Sequence, residues 1–198
     1  MQDHFSFKHV SRETITERKD LFFSLLQKWN QKINLVQALS LTGFEERHWE
    51  DSLQLLDHIK DASSKIIDVG SGGGFPGIPL AIYGCNITMT EIIDKKRIFL
   101  KEVIRQCDLK SAHTEKDAFQ ITDYYDIVTS RAFSSLKNIL SVQLNVSRET
   151  TRGLYLKSDI FQDEINESLK LFSFNFIVHP SKTAKDSVIL EVFNLSKK

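Results

Sequence analysis

The chain has 198 residues, 41% apolar and 26% charged, with 26 basic and 26 acidic side chains. That is enough for one sizeable core, and the net charge of +0 offers no bulk field to attract a polyanion. No window is apolar and long enough to span a bilayer, and Met1 to Lys19 lacks an apolar signal core, so no membrane partner and a cytoplasmic location are expected.

Residues 1 to about 12 carry no pattern. Thr14-Ile15-Thr16-Glu17 matches a capping box, and Phe22, Leu25, Leu26, Trp29 and Ile33 follow at helical spacing. Thr42-Gly43-Phe44-Glu45 is a second capping box, opening a helix to about Ile59 with Leu53, Leu56 and Ile59 inward. After Ser63-Ser64 the pattern alternates. Strands are expected at 65–69, 86–91, 112–116, 125–130 and 153–157, and helices at 77–83, 95–107, 136–146 and 161–171. Two closing strands, 174–178 and 187–193, read as a hairpin around His179-Pro180. This order predicts an α/β fold: a mostly parallel twisted sheet, helices on both faces and an antiparallel edge strand. Residues 1–62 form an N-terminal helical extension, and 63–198 one compact core. Cys85 and Cys107 stand far apart with no ligand spacing around them, so they read as reduced core thiols, and no metal site is expected.

The run Ile66-Ile67-Asp68-Val69-Gly70-Ser71-Gly72-Gly73-Gly74-Phe75-Pro76-Gly77 is a buried strand breaking into a helix through glycines. Unpaired N–H groups at such a turn favour anionic or electron-rich ligand atoms. Ligands of doubly wound sheets sit beyond the carboxyl ends of the strands, beside strand one. That rule selects Asp68, Gly70, Ser71 and Gly72, then Glu91 at the end of strand two, Lys116 and Asp117 after strand three, and Arg131 after strand four. Glu91 stands where an acid accepts hydrogen bonds from ribose hydroxyls, and Asp117 where one meets an adenine amino group. Taken singly, Glu91 reads as a solvated strand-end acid and Asp117 is undecided. A dinucleotide site would spell G-x-G-x-x-G, but the sixth position from Gly70 is Phe75.

Asp68-x-Gly70-x-Gly72-x-Gly74 resembles the first motif of S-adenosylmethionine (SAM) methyltransferases. The longer run to Ala81, with its Phe75-Pro76-Gly77-Ile78-Pro79 tail, resembles that of the glucose-inhibited division protein B family. These bacterial enzymes methylate nitrogen 7 of a guanine in small-subunit ribosomal RNA. Trp29-Asn30-x-x-x-Asn34-Leu35, Arg47-His48-x-x-Asp51-Ser52-Leu53, Ser130-Arg131-Ala132-Phe133 and Leu156-Lys157 are similar to further family elements. Glu91, Val36 and Ser158 depart from the family's usual Asp, Thr and Gly.

The resemblance implies a Rossmann-like class I SAM-dependent methyltransferase fold and SAM as cofactor, held by Asp68, Gly70, Ser71, Gly72, Gly74, Phe75, Glu91, Lys116, Asp117 and Arg131. It implies 16S rRNA or the assembled small ribosomal subunit as partner, engaged by a monomer. Arg131, Arg47, His48, Asp51 and Lys157 would position the substrate. Transfer to N7 would proceed in line, with no general base. By spacing alone, Arg47 and Asp51 form an ordinary i,i+4 ion pair. Lys95, Lys96, Arg97, Lys101 and Arg105 read either as a solvated helix surface or as an RNA-backbone patch. The rival readings are a class I methyltransferase for a small molecule or protein, an NAD-dependent oxidoreductase, and a non-catalytic nucleotide-binding protein.

Overall fold

Strand β1 (Lys65–Val69) divides its side chains between two apolar clusters, Ile66 entering one and Ile67 and Val69 the other. Strand β5 (Ser147–Lys157) repeats the division, with Leu154 and Leu156 on one face and Tyr155 on the other. This is the two-residue period of a sheet covered on both sides. The computed structural model describes residues 10–37, 43–131 and 134–198. Its remaining strands are β2 (Asn86–Thr90), β3 (Ala112–Glu115), β4 (Tyr125–Arg131), β6 (Phe172–Pro180) and β7 (Val188–Lys197).

The seven strands lie in the order β3-β2-β1-β4-β5-β7-β6. The first five are mutually parallel, and β7 runs antiparallel to both neighbours, one place in from the edge that β6 occupies. The closing hairpin is present, but His179 and Pro180 still belong to β6, paired with Ile189 and Val188, so the turn lies beyond them. An edge strand tolerates a proline because no ladder bond is asked of its nitrogen. Strand β5 begins at Ser147, well before the expected Gly153, because helix α5 (Leu136–Val146) runs directly into it. Arg148-Glu149-Thr150 has no apolar alternation to announce a strand.

Helix α1 (Arg12–Asn30) is capped by Ser11, whose hydroxyl accepts the Thr14 N–H at 3.1 Å. Thr14 is therefore inside the first turn and not the cap. Thr42 of the second expected capping box lies outside the described residues. The helix it was to open, here α2, changes its winding along its length: π-helical at Phe44–Glu50, α-helical at Asp51–Leu53 and 3-10 at Gln54–His58. Helices α1, α2, α3 (Gly77–Ile82) and α4 (Asp94–Gln106) cover one face of the sheet, and α5 and α6 (Phe161–Ser168) the other.

The helices before residue 63 share an apolar core with the sheet. Phe22 packs 5.3 Å from Phe75 and Trp29 lies 5.7 Å from Phe99, ring centroid to centroid. Phe75, which fills the place of a third glycine, is thus the link between the loop after β1 and the N-terminal helices. Cys85 and Cys107 are buried and not in a disulfide, and burial pushes the Cys107 thiol up to about 11. Among the described residues, no helix is long and apolar enough to cross a membrane.

Candidate functional site

The chain leaves β1 through a loop that needs glycine at particular points. Gly74 has φ of 93°, and a Cβ there would lie 2.6 Å from Cγ1 of Ile78, so packing against α3 excludes any side chain. Gly72 has φ of 53°, yet an added Cβ would meet only the Gly70 carbonyl, at 3.9 Å. Its open side is the floor of a cavity of about 520 Å³. That volume suits a nucleoside-sized ligand.

The loop's donors are largely used within the protein. Gly70 N–H reaches the Thr90 hydroxyl, Ser71 N–H the Thr90 carbonyl, and Gly74 and Phe75 N–H the Ser71 carbonyl. Gly72 donates to Oε2 of Glu91 at 3.0 Å, and Gly77 to Oδ2 of Asp68 at 3.2 Å. The expectation of a row of unpaired N–H groups is therefore corrected. With its amides so engaged, the loop is a poor pyrophosphate cradle, which weighs against a dinucleotide. Glu91 also accepts the Ile93 N–H through Oε1 at 2.8 Å, so both its oxygens are aimed by backbone, each with a lone pair to spare.

Gly70, Ser71, Gly72, Phe75, Glu91, Lys116, Asp117 and Arg131 all line this cavity. Asp68 and Gly74 do not line it. Asp68 is fully buried, and Oδ1 has no hydrogen-bond partner. Burial pushes its carboxyl up to about 7, against the pull of the Ser71 hydroxyl, the Gly77 N–H and the Arg131 charge. Asp117 caps the short 3-10 turn Ala118–Gln120 by accepting the Phe119 N–H at 2.9 Å.

Sequence reasoning missed the apolar walls. Ile92 and Phe119 are 64% and 58% exposed at the rim, and Ile93 stands beside them. Large exposed apolar groups edging a cavity are what a flat ligand ring needs on its faces, and the Ile92-Ile93 pair directly after a strand-end acid was the available signal. Leu35 and Val36 close the other side. They are held there by Asn30, whose Oδ1 accepts both of their N–H groups, at 2.9 and 3.0 Å. Packing is tight, because a Cβ on Gly73 would lie 3.1 Å from Val36 Cγ1. The Trp29-Asn30 element thus folds the turn after α1 over the glycine loop.

Arg131 borders a second cavity of about 460 Å³, lined also by Asp51, Lys157, Ile160 and Glu164. The Arg131 guanidinium sits 4.9 Å from the centre of the Phe75 ring, donates to the Arg47 carbonyl at 2.9 Å and lies 3.5 Å from Oδ2 of Asp51. Asp51 therefore turns to Arg131, and Arg47 is exposed on α2, so the i,i+4 pair expected from spacing gives way to a tertiary one. Oδ1 of Asp51 accepts from Gln54 at 2.8 Å and from the Thr183 hydroxyl at 2.9 Å, in the turn between β6 and β7. Burial raises the Asp51 pKa, opposed by Arg131, Thr183 and Gln54. Lys157 forms a 2.8 Å ion pair with Glu164, which also accepts the Leu136 N–H.

His48 borders neither cavity. Its ring stacks on Phe75 at 4.8 Å, and neither ring nitrogen has a hydrogen-bond partner. Burial first, then Arg131 and Arg47, lowers it to about 4, so it is neutral at physiological pH. Of the basic run on α4, Arg97 is paired with Asp94 and Arg105 with Glu102, leaving Lys95 and Lys101 exposed while Lys96 lines the first cavity.

The GidB family profile, described as rRNA small subunit methyltransferase G, matches residues 16–189. A ribosomal RNA small subunit methyltransferase G of Rickettsia akari is 36% identical over 193 residues, covering 95% of this chain and 98% of that one. The protein of the same name from Orientia tsutsugamushi (strain Ikeda) is 38% identical, covering 93% and 92%. Among solved structures, a putative S-adenosyl-L-methionine-dependent methyltransferase from Methanococcus maripaludis superposes with a TM-score of 0.61 at 11% identity, over 96% of this chain and 98% of that one. That structural likeness is one of fold. On sequence, the chain belongs to the GidB family, rRNA small subunit methyltransferase G, a family of SAM-dependent methyltransferases with the Rossmann-like class I fold.

Proposed function

We propose that the chain methylates N7 of one guanine in 16S ribosomal RNA, presented free or in the small subunit. The observation that carries this reading is the meeting of two cavities at Arg131, one floored by the glycine loop and one walled by Asp51, Lys157 and Glu164. Bound SAM supplies an electrophilic methyl group on a sulfonium sulfur. Glu91 accepts from ribose hydroxyls, Asp117 and Lys116 meet the adenine edge, and Ile92, Ile93 and Phe119 cover its faces. The cradle left open at Gly72 fits such a nucleoside, since nothing of the protein occupies that side of the glycine.

Guanine N7 carries a lone pair and no proton, so no residue has to remove one. What remains is orientation, for which a well-placed pair of reactants gains up to ~7–11 kcal/mol. The second cavity is large enough for an unstacked base, and extruding the base is how enzymes reach atoms held in a helix. Arg131 donates to the guanine edge or an adjoining phosphate, Asp51 fixes the guanidinium, and Lys157 faces the backbone. Neutral His48 holds the Phe75 ring from behind. With a net charge of +0, RNA affinity rests on such local groups and on exposed lysines such as Lys95 and Lys101, so a folded ribosomal target is the better substrate.

The test is methyl transfer from labelled SAM to small subunits and to deproteinised RNA, both from cells lacking the modification, with chain scission at 7-methylguanine to locate the product. Label at one guanine is expected. Arg131→Ala should lose the label while SAM binding is at most weakened, since the other residues of the first cavity remain. Absence of label with SAM bound would remove RNA as the substrate, and label resistant to the scission chemistry would remove N7.

A further inference from the structure

Away from both cavities, His58 at the end of α2, His179 of β6 and Glu191 of β7 come together. One ligand atom from each lies within 4.8 Å of the others, and all three residues are partly buried. Glu191 pairs across the ladder with Ile177, which makes His179 its diagonal neighbour on the same face. The Nε2 of His179 is 2.8 Å from Oε2 of Glu191, and the His58 and His179 rings are 4.2 Å apart, centre to centre. Arg152 of β5 donates to the other carboxylate oxygen at 2.7 Å and, through its second nitrogen, to the His58 carbonyl at 2.8 Å.

We propose that His58, His179 and Glu191 bind one divalent transition-metal ion of the zinc type, which fastens the end of α2 to the β6–β7 hairpin. Two imidazoles and a carboxylate are a donor set that zinc takes where three protein ligands leave a fourth position to water. Nitrogen donors favour zinc, nickel or cobalt over magnesium or calcium, which seek oxygen. Arg152 supplies the outer shell: it fixes the carboxylate plane through one oxygen, leaves the other toward the imidazoles, and anchors the backbone of His58. The brace lies where it bears on the second cavity, because α2 carries Asp51 and the hairpin turn carries the Thr183 hydroxyl that Asp51 accepts.

Full-length protein, stripped with a chelator and dialysed, is titrated with zinc sulfate by calorimetry and with cobalt chloride by visible absorption. The expected result is one equivalent of zinc, a raised melting temperature, and the d–d bands of four-coordinate cobalt without a thiolate charge-transfer band. His58→Ala and His179→Ala each lose the one-equivalent binding while SAM binding is kept, which shows that the chain is folded. Should either alanine variant fail to bind SAM, His179→Gln keeps the ring's approximate volume and the same loss of metal is required. No heat and no cobalt bands with the unaltered protein would overturn the proposal, as would binding that survives these substitutions or a thiolate band pointing to Cys85 or Cys107. The cluster would then be a hydrogen-bonded pair of His179 with Glu191, held by Arg152.

Discussion

The two cavities that meet at Arg131 are assembled in opposite ways. The first is built mainly from the ends of β1, β2 and β3, and its floor comes from one short segment, Gly70 to Gly73 with Phe75. The second takes Asp51 from α2, Arg131 from β4, Lys157 from β5 and Glu164 from α6. It is secured by a hydrogen bond between residues 132 apart in sequence, Thr183 to Asp51. A contiguous wall is set by local backbone conformation, whereas a dispersed one depends on the whole sheet having closed. Substitutions in the first should therefore act on the cofactor, and substitutions in the second on transfer.

The largest effect is expected at Gly72. In Gly72→Asp a carboxylate would enter the cavity beside Glu91, which already accepts the Gly72 N–H. Calorimetry should find no measurable SAM binding, while melting without SAM shows only the ~1–2 kcal/mol that a side chain pays at a left-handed φ. Retained affinity would break the assignment of this wall to the cofactor.

That asymmetry also explains what was readable in advance. Asp68-x-Gly70-x-Gly72-x-Gly74 announced itself because each of its glycines answers a local demand for a positive φ, and Glu91 followed from the rule for strand ends. Family resemblance brought in Arg47, His48 and Asp51, but helical spacing misjudged the pairing of Arg47 with Asp51. The π-helical winding of Phe44–Glu50 sends Arg47 outward and leaves Asp51 to Arg131. Nothing in the pattern of residues 172–197 pointed to Thr183, since its role exists only once β6 and β7 have closed against α2. Asn30 belonged to a recognised element, yet its task, holding the Leu35–Val36 turn, is invisible until the turn is seen.

The next effect tests the buried acid of β1. Asp68 titrates near 7 when folded and near 3.8 when unfolded, so the folded state holds the extra proton between those values. Stability is thus highest below pH 4 with respect to this group and falls as pH rises toward 7. Asp68→Asn removes that loss while its amide oxygen still accepts the Gly77 N–H. The variant should gain on the order of 2–3 kcal/mol relative to the parent between pH 5 and 7, and nothing further above it. Denaturant melts at pH 5, 7 and 8 without SAM measure this, and a constant difference would mean that Asp68 is ionised throughout.

A smaller effect separates positioning from mere stability in the same wall. Asn30→Leu leaves two N–H groups of the cavity turn without their acceptor, and SAM should bind about tenfold more weakly, the equivalent of ~1.4 kcal/mol. Asn30→Asp keeps the accepting oxygen and should restore most of the affinity. If both variants lose SAM affinity equally, the turn is held by something other than that oxygen.

The smallest expected effect lies in the second cavity and is the sharpest test of the comparison. Thr183→Val removes the hydroxyl that donates to Oδ1 of Asp51 and keeps the side chain's shape. One such hydrogen bond is worth ~0.5–1.5 kcal/mol. Asp51 retains Gln54 and Arg131, so the carboxylate is loosened and not released. Methyl transfer to the ribosomal substrate should fall about two- to tenfold in kcat/KM, with SAM affinity unchanged. A proportionate loss of SAM binding would show that the hairpin acts through the whole core. Unchanged transfer would show that Arg131 keeps its aim without Asp51 being held, leaving the stack on Phe75 and the Arg47 carbonyl to fix the guanidinium.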